Sequence, residues 1–245
     1  MSERDTNNSL TVVYGIHPVC EVARAKRRFF ETVYTTKEPI KAWRDIQKLL
    51  SPKTRIVFVA KDQLARIAGT IDHQGVVGVT TPFSYRKNFF DAGKAPFILL
   101  LDRIQDPRNL GAIIRSAYCT GVDGIVVIKK SGADITSVVI KSSAGLVEHC
   151  DMYQSATVPT AVESLKKAGY NIYSGALGGT PLQQITFKQP CCIVVGNEGM
   201  GVASEFLKNG ESVMLAQRDV DISYNASVAA GLLLFYASLQ LGRIK

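Results

Sequence analysis

The residues of this 245-residue chain best equipped for chemistry gather in four stretches, each placed directly after an apolar run. They are Asp102 to Asn109, Gly175-Ala-Leu-Gly-Gly179, Gly196-Asn-Glu-Gly-Met-Gly201 and Gln217 to Asn225. In parallel α/β sheets ligands bind beyond the carboxyl ends of the strands, so loops after apolar runs are where a site belongs. The last stretch continues as Ser223-Tyr-Asn-Ala-Ser-Val-Ala-Ala-Gly231. Ser223 or Asn225 can cap a helix there, its side-chain oxygen accepting from N–H groups that have no partner inside the helix. Core packing explains the apolar residues that follow. It does not explain the polar entrance Ser223, Asn225 and Ser227.

Several familiar chemistries find no support. Neither G-x-G-x-x-G nor G-x-x-x-x-G-K-[ST] occurs, which argues against a standard dinucleotide fold or a P-loop. There is no G-x-S-x-G elbow, and His17, His73 and His149 adjoin no obvious nucleophile. The five cysteines, Cys20, Cys119, Cys150, Cys191 and Cys192, form no C-x-x-C pair, so no metal site is expected and they read as buried apolar residues.

The elements that must position these loops follow from periodicity. Residues 97–101, Phe-Ile-Leu-Leu-Leu, form a strand buried on both faces, and a helix through Ile113, Ile114 and Ala117 leads to a second strand at 124–128. Further strands are expected at 170–174, 192–195 and 213–216, with helices near 135–143 and 160–168. The final helix is apolar on two sides. Ala226, Ala229, Ala230, Leu233 and Ala237 mark one, and Val228, Leu232, Phe235 and Leu239 the other, which predicts burial between its own domain and a second surface. Before residue 82 the pattern alternates: a helix to about Ala25, a β-like run 29–35, a helix 40–50, a strand 55–60, a helix 61–68 and a strand 75–79. The expected organisation is a small α/β domain over 1–82, a linker over 83–96 and a second α/β domain over 97–245.

Charge separates the two parts. The net charge is +8, and residues 1–95 carry 16 Lys and Arg against 9 Asp and Glu. A basic surplus in one segment, with Arg24, Lys26, Arg27 and Arg28 clustered, is either a solubilising surface or the electrostatic footprint of a nucleic-acid binder. The N-terminus has no apolar leader and no run is long enough to span a membrane, so a cytoplasmic protein with no membrane partner is expected.

Three segments resemble one family. Asp102-x-Ile-x-Asp-Pro-x-Asn-x-Gly-Ala-Ile-Ile-Arg-Ser-Ala, Val194-Val-Gly-Asn-Glu-Gly-Met-Gly and Ser223-Tyr-Asn-Ala-Ser-Val-Ala-Ala-Gly are similar in order and spacing to the motifs of the SpoU (TrmH-like) branch of the SPOUT RNA methyltransferases. Tyr14-Gly-Ile-His-Pro-Val and His73-Gln-Gly-Val-Val-Gly resemble the substrate-binding domain of the ribosomal RNA guanosine-2'-O-methyltransferase type. The resemblance implies a C-terminal α/β knot with a mostly parallel sheet, S-adenosyl-L-methionine as methyl donor, an RNA substrate, ribosomal rather than transfer RNA, and a homodimer with the site at its interface. It nominates Asn109, Arg115, Glu198, Asn225 and Ser227 for catalysis. For the cofactor it nominates Ala176, Leu177, Gly178, Gly196, Leu215, Ser223, Tyr224 and Asn225. The RNA contacts are expected from the basic cluster Arg24, Lys26, Arg27 and Arg28.

Some roles stay open at this level. Asn109 either touches substrate or caps the helix after Pro107, and Glu198 is either a general base or a loop tie to Asn109. Arg115 suits phosphate binding or alkoxide stabilisation better than proton removal, because a guanidinium keeps its proton. Where relatives often have Ile-Pro-Met this chain has Leu215-Ala216-Gln217, and Tyr224 replaces a frequent Leu. The competing readings are a transfer RNA 2'-O-methyltransferase, a ribosome-assembly factor without turnover, and a nucleotide-using small-molecule enzyme.

Overall fold

A computed structural model describes residues 10–38, 40–130, 132–219 and 222–245. Contacts divide the chain into two compact units, one of Met1–Ser84 with Ile135–His149 and one of Tyr85–Asp134 with Cys150–Lys245. The first unit thus draws in a stretch that the sequence scheme assigns to 97–245.

In the first unit the elements are β1 (Thr11–Tyr14), α1 (Ile16–Ala25), β2 (Phe30–Thr36), α2 (Trp43–Leu49), β3 (Arg55–Val59), α3 (Lys61–Ala68) and β4 (Val76–Thr80). Their four-stranded sheet has the order β1-β4-β2-β3, and only β2 and β3 pair in parallel. Gly78 in β4 is required by packing, since a Cβ there would sit 2.3 Å from the Phe30 ring.

The second unit begins with residues 85–96, expected as a linker, and instead builds them into its core. Phe90 and Ala95 are buried, Phe89 stacks edge-on against Tyr153, and Arg86 lies 4.2 Å from the centroid of the Phe90 ring. Next come β5 (Phe97–Asp102), α4 (Pro107–Cys119) and β6 (Gly124–Ile128). α5 (Ser137–Ser142) belongs to the first unit. β7 (Met152–Ser155), α6 (Val158–Ala168), β8 (Asn171–Pro181), β9 (Cys191–Gly196), α7 (Ser204–Lys208), β10 (Glu211–Met214) and α8 (Ala226–Gln240) complete the chain.

All six strands of this sheet run parallel in the order β10-β8-β9-β5-β6-β7. β5, β6 and the body of β9 are buried on both faces, as continuous apolar runs demand. From β10 at the sheet edge the chain returns to pack α8 on α4 and β9. That return is the path an α/β knot requires. Polar bonds fix α8 and the turn after it: Ser238 Oγ donates to the Thr120 carbonyl at 2.6 Å, Gln240 Nε2 donates to the Ile185 carbonyl at 2.9 Å, and Arg243 pairs with Asp123.

Two local expectations are corrected. Residues 175–179 are not a free loop after a short strand, because β8 resumes its pairing with β10 at Thr180 and the intervening residues bulge out between the paired ends. α8 buries Ala226, Ala230, Leu233 and Ala237, whereas Val228, Leu232, Phe235 and Leu239 lie exposed along its other side. Among the described residues nothing covers that side.

Candidate active site

The ends of β5 and β9 are stitched together by side chains. Asp102, wholly buried at the end of β5, accepts from the Ala203 N–H at 2.8 Å and pairs with Arg103 through two N–H groups at 2.8 and 3.0 Å. That hydrogen bond holds the Arg103 guanidinium proton more firmly than usual. Asn197 shapes the glycine-rich loop. Its Oδ1 accepts from the N–H groups of Gly199 and Met200, at 2.8 and 3.2 Å, while its Nδ2 donates to the Arg103 carbonyl at 3.1 Å. The loop closes so tightly that a Cβ on Gly196 would lie 2.3 Å from the Gly201 carbonyl carbon, so only glycine fits there.

This loop, the bulge in β8 and the segment before α8 enclose a pocket of about 420 Å³. Of the residues nominated for the cofactor, Ala176, Leu177, Gly196, Leu215, Ser223 and Tyr224 line it, whereas Gly178 and Asn225 do not. Val202, Leu207, Val213 and Leu233 add apolar walls, and Glu198 reaches its edge. The two departures from the resembled pattern meet here. The Tyr224 hydroxyl donates to the Ala216 carbonyl at 3.0 Å, which a leucine at 224 could not do.

Four nominated catalytic residues form one directed chain of hydrogen bonds. Ser227 Oγ donates to Asn225 Oδ1 at 2.6 Å, Asn225 Nδ2 donates to Asn109 Oδ1 at 3.2 Å, and Asn109 Nδ2 donates to Glu198 Oε1. Every donor points towards the carboxylate, so the dipoles reinforce one another. The capping alternatives resolve at the same time. Asp106 caps α4 by accepting from the Arg108 N–H, with Pro107 in the first turn, so Asn109 is not the cap. Asn225, rather than Ser223, caps α8. Arg115 stands apart: it is exposed further along α4, does not line the pocket and has no ion pair among the described residues.

Comparison with known proteins gives this geometry its family. The SpoU rRNA Methylase family matches residues 96–235, and a second family, RNA 2'-O ribose methyltransferase substrate binding, matches 12–86. The chain belongs to the SpoU methylase family. An uncharacterized tRNA/rRNA methyltransferase of Synechocystis is 31% identical over 99% of this chain, which spans 66% of that protein's length. YacO of Bacillus subtilis, named as a TrmH family tRNA/rRNA methyltransferase, is 28% identical over 91% of this chain and 93% of its own. Among solved structures, the SpoU methyltransferase AviRb of Streptomyces viridochromogenes, in complex with AdoMet, superposes with a TM-score of 0.82 at 22% identity, over 98% of this chain and 94% of that one.

As a SpoU family RNA methyltransferase the chain has two residues whose roles its motifs alone do not show. Asp102 and Asn197 lie within the motif stretches, but their linking role depends on partners in other loops. The basic cluster of the first unit is split. Arg24, Lys26 and Arg27 are exposed, but Arg28 is only 5% exposed and its guanidinium is held by Glu148 and by the Thr81 carbonyl. Arg28, buried and committed to Glu148, forms a structural ion pair rather than an exposed phosphate contact, which corrects that assignment. Among the cysteines Cys119 is exposed, contrary to expectation, and burial pushes the Cys191 thiol up to about 12. His73 is buried, His149 pairs with Glu21, and His17 is exposed in the first turn of α1, so none joins the site.

Proposed function

We propose that this protein transfers a methyl group from S-adenosyl-L-methionine to a ribose 2'-hydroxyl of ribosomal RNA, with guanosine the favoured nucleoside, and that it works in the cytoplasm as a homodimer. The observation that carries the reading is the directed chain Ser227–Asn225–Asn109–Glu198, ending at the edge of the pocket.

The pocket suits the cofactor. Its volume lies within the roughly 300–1,000 Å³ of small-molecule sites. Apolar walls from Leu215, Leu233 and Tyr224 offer a place for an adenine, and the backbone of 196–201 brings polar groups close where no side chain intervenes. When bound, S-adenosyl-L-methionine supplies a methyl group on a positively charged sulfur. The protein must then align the hydroxyl and take up its proton. Asn109 fixes Oε1 of Glu198, and Oε2 is the oxygen assigned to the proton. Asn225 and Ser227 hold Asn109 in that orientation. Arg115 is assigned to the target phosphate or the developing alkoxide. Its position outside the cluster of its own chain suits a site completed across a dimer interface, and the exposed stripe Val228, Leu232, Phe235 and Leu239 suits that interface.

The domain scheme is proposed as a division of labour: RNA binding by a domain over 1–82, with which 135–149 packs, a connection over 83–96 whose residues from 85 onward pack into the second unit, and methyl transfer by the domain over 97–245. Incubation with methyl-labelled S-adenosyl-L-methionine and total RNA from cells lacking the gene tests the whole reading. Label in ribosomal RNA is expected. Label in transfer RNA would overturn the substrate, and cofactor binding with no label in RNA or in precursor ribosomal particles would favour an assembly factor.

A further inference from the structure

We propose that the first unit holds one unpaired nucleotide of its RNA in a basic pocket between the end of α1 and the turn from α2 to β3, with the base stacked on Phe29. This rests on the RNA methyltransferase reading and deepens it. The pocket measures about 570 Å³ and is separate from the cofactor pocket, which lies wholly in the other unit. Arg24 and Lys26 come from the end of α1, Lys48 from the end of α2, and Leu50 and Pro52 from the turn.

Phe29 leaves 61% of its surface in water, yet its backbone is firmly held. Its carbonyl accepts from Thr80 Oγ1 at 2.8 Å. The residues on either side, Arg28 in its buried ion pair and Phe30 in the core, are both anchored. An aromatic ring on a rigid mount is a preorganised stacking platform, and it loses little freedom when a base covers it. Lys26 follows α1 in the left-handed region, at φ 54°, and has no carboxylate partner among the described residues. Arg24 is engaged with the largely buried Glu21 and Lys48 with the exposed Asp45, but each carries more donors than one carboxylate uses.

The combination selects the ligand class. Cations alone would serve any anion, and a ring alone any apolar group. A ring beside cations, with apolar Leu50 and Pro52 in the wall, fits a base with its phosphate. The base must be unpaired, because a duplex hides its base faces in the stack. Every base has a π-face, so the pocket discriminates single-stranded from paired RNA rather than one base from another.

The test measures binding of the full chain to a fluorescein-labelled, unstructured RNA oligonucleotide and to a perfect RNA duplex. Phe29→Ala is expected to weaken the unstructured RNA roughly tenfold, to leave the duplex unchanged, and to be rescued by Phe29→Trp. Lys26→Gln is expected to flatten the slope of log affinity against log salt by about 0.7, the share of one phosphate contact on a single strand. An unchanged denaturant-unfolding midpoint of the full chain verifies that each variant is folded, since the cofactor pocket reports only on the other unit. The proposal is overturned if Phe29→Ala binds the unstructured RNA like the parent, if it loses the duplex by the same factor, or if an acidic peptide competes as well as RNA does. A parent protein that binds the cofactor and neither RNA overturns the methyltransferase reading as well. A parent that methylates RNA while Phe29→Ala binds it normally overturns the pocket alone.

Discussion

Glu198 and Asn109 stand 89 positions apart in the chain and meet side chain to side chain at the edge of the cofactor pocket. A carboxylate held by an amide, itself held by a second amide, has its free oxygen aimed rather than wandering, and aim is what proton removal from a hydroxyl needs. Glu198→Gln keeps the size of the side chain and removes its basicity. It is expected to lower single-turnover methyl transfer by about 100-fold or more while leaving cofactor affinity unchanged by calorimetry. A variant that loses cofactor affinity and keeps its rate would make Glu198 a loop support instead. The sequence shows the residue types of this cluster, since the three motif segments contain all four members. What no local pattern reveals is who bonds to whom. Asn109 beside Pro107 has the residue type of a cap, but Asp106, one position ahead of the proline, takes that role.

At the scale of elements, α8 is the clearest case of a feature half-legible in sequence. Its two apolar sides are visible as spacings, and the structure covers only one of them. Phe235, 54% exposed in the middle of the uncovered stripe, is the residue to change. Phe235→Glu is expected to yield monomers in sedimentation and to lower methyl transfer with them, because a buried charge in an apolar interface costs several kcal/mol, roughly. Dimers that persist would remove this stripe from the interface. The buried strands β5, β6 and β9 were legible because continuous apolar runs bounded by turns have few other solutions. β1, β7 and α7 are short and mixed in pattern, so nothing local distinguished them. The bulge in β8 looks like a loop in sequence because its strand character depends on pairing with β10, which lies far along the chain.

For the molecule as a whole, the basic surplus is a regional property of the sequence, and its members differ residue by residue in the fold. Arg28 belongs to the basic cluster in sequence, yet it spans 120 positions to a buried ion pair with Glu148, in the segment that the first unit borrows from later in the chain. Removing one partner leaves a buried charge alone, so Arg28→Ala is expected to destabilise the protein by about 3–5 kcal/mol in denaturant unfolding. Arg27→Ala, at an exposed position next to it, is expected to change stability by less than about 0.5 kcal/mol. Equal effects would mean that the pair does not hold the unit together.

The central claim is transfer to a ribose 2'-hydroxyl, and its chemical signature is direct. A methyl group there removes the nucleophile that alkaline cleavage of RNA requires, so the phosphodiester following the modified nucleotide survives base. Ribosomal RNA from cells with and without the protein, partially hydrolysed in alkali and mapped by sequencing of the fragment ends, gives the measurement. One protected position, present only with the active protein and absent with Glu198→Gln, is the predicted result. Methyl label incorporated with no protected position would place the methyl on a base and contradict the account.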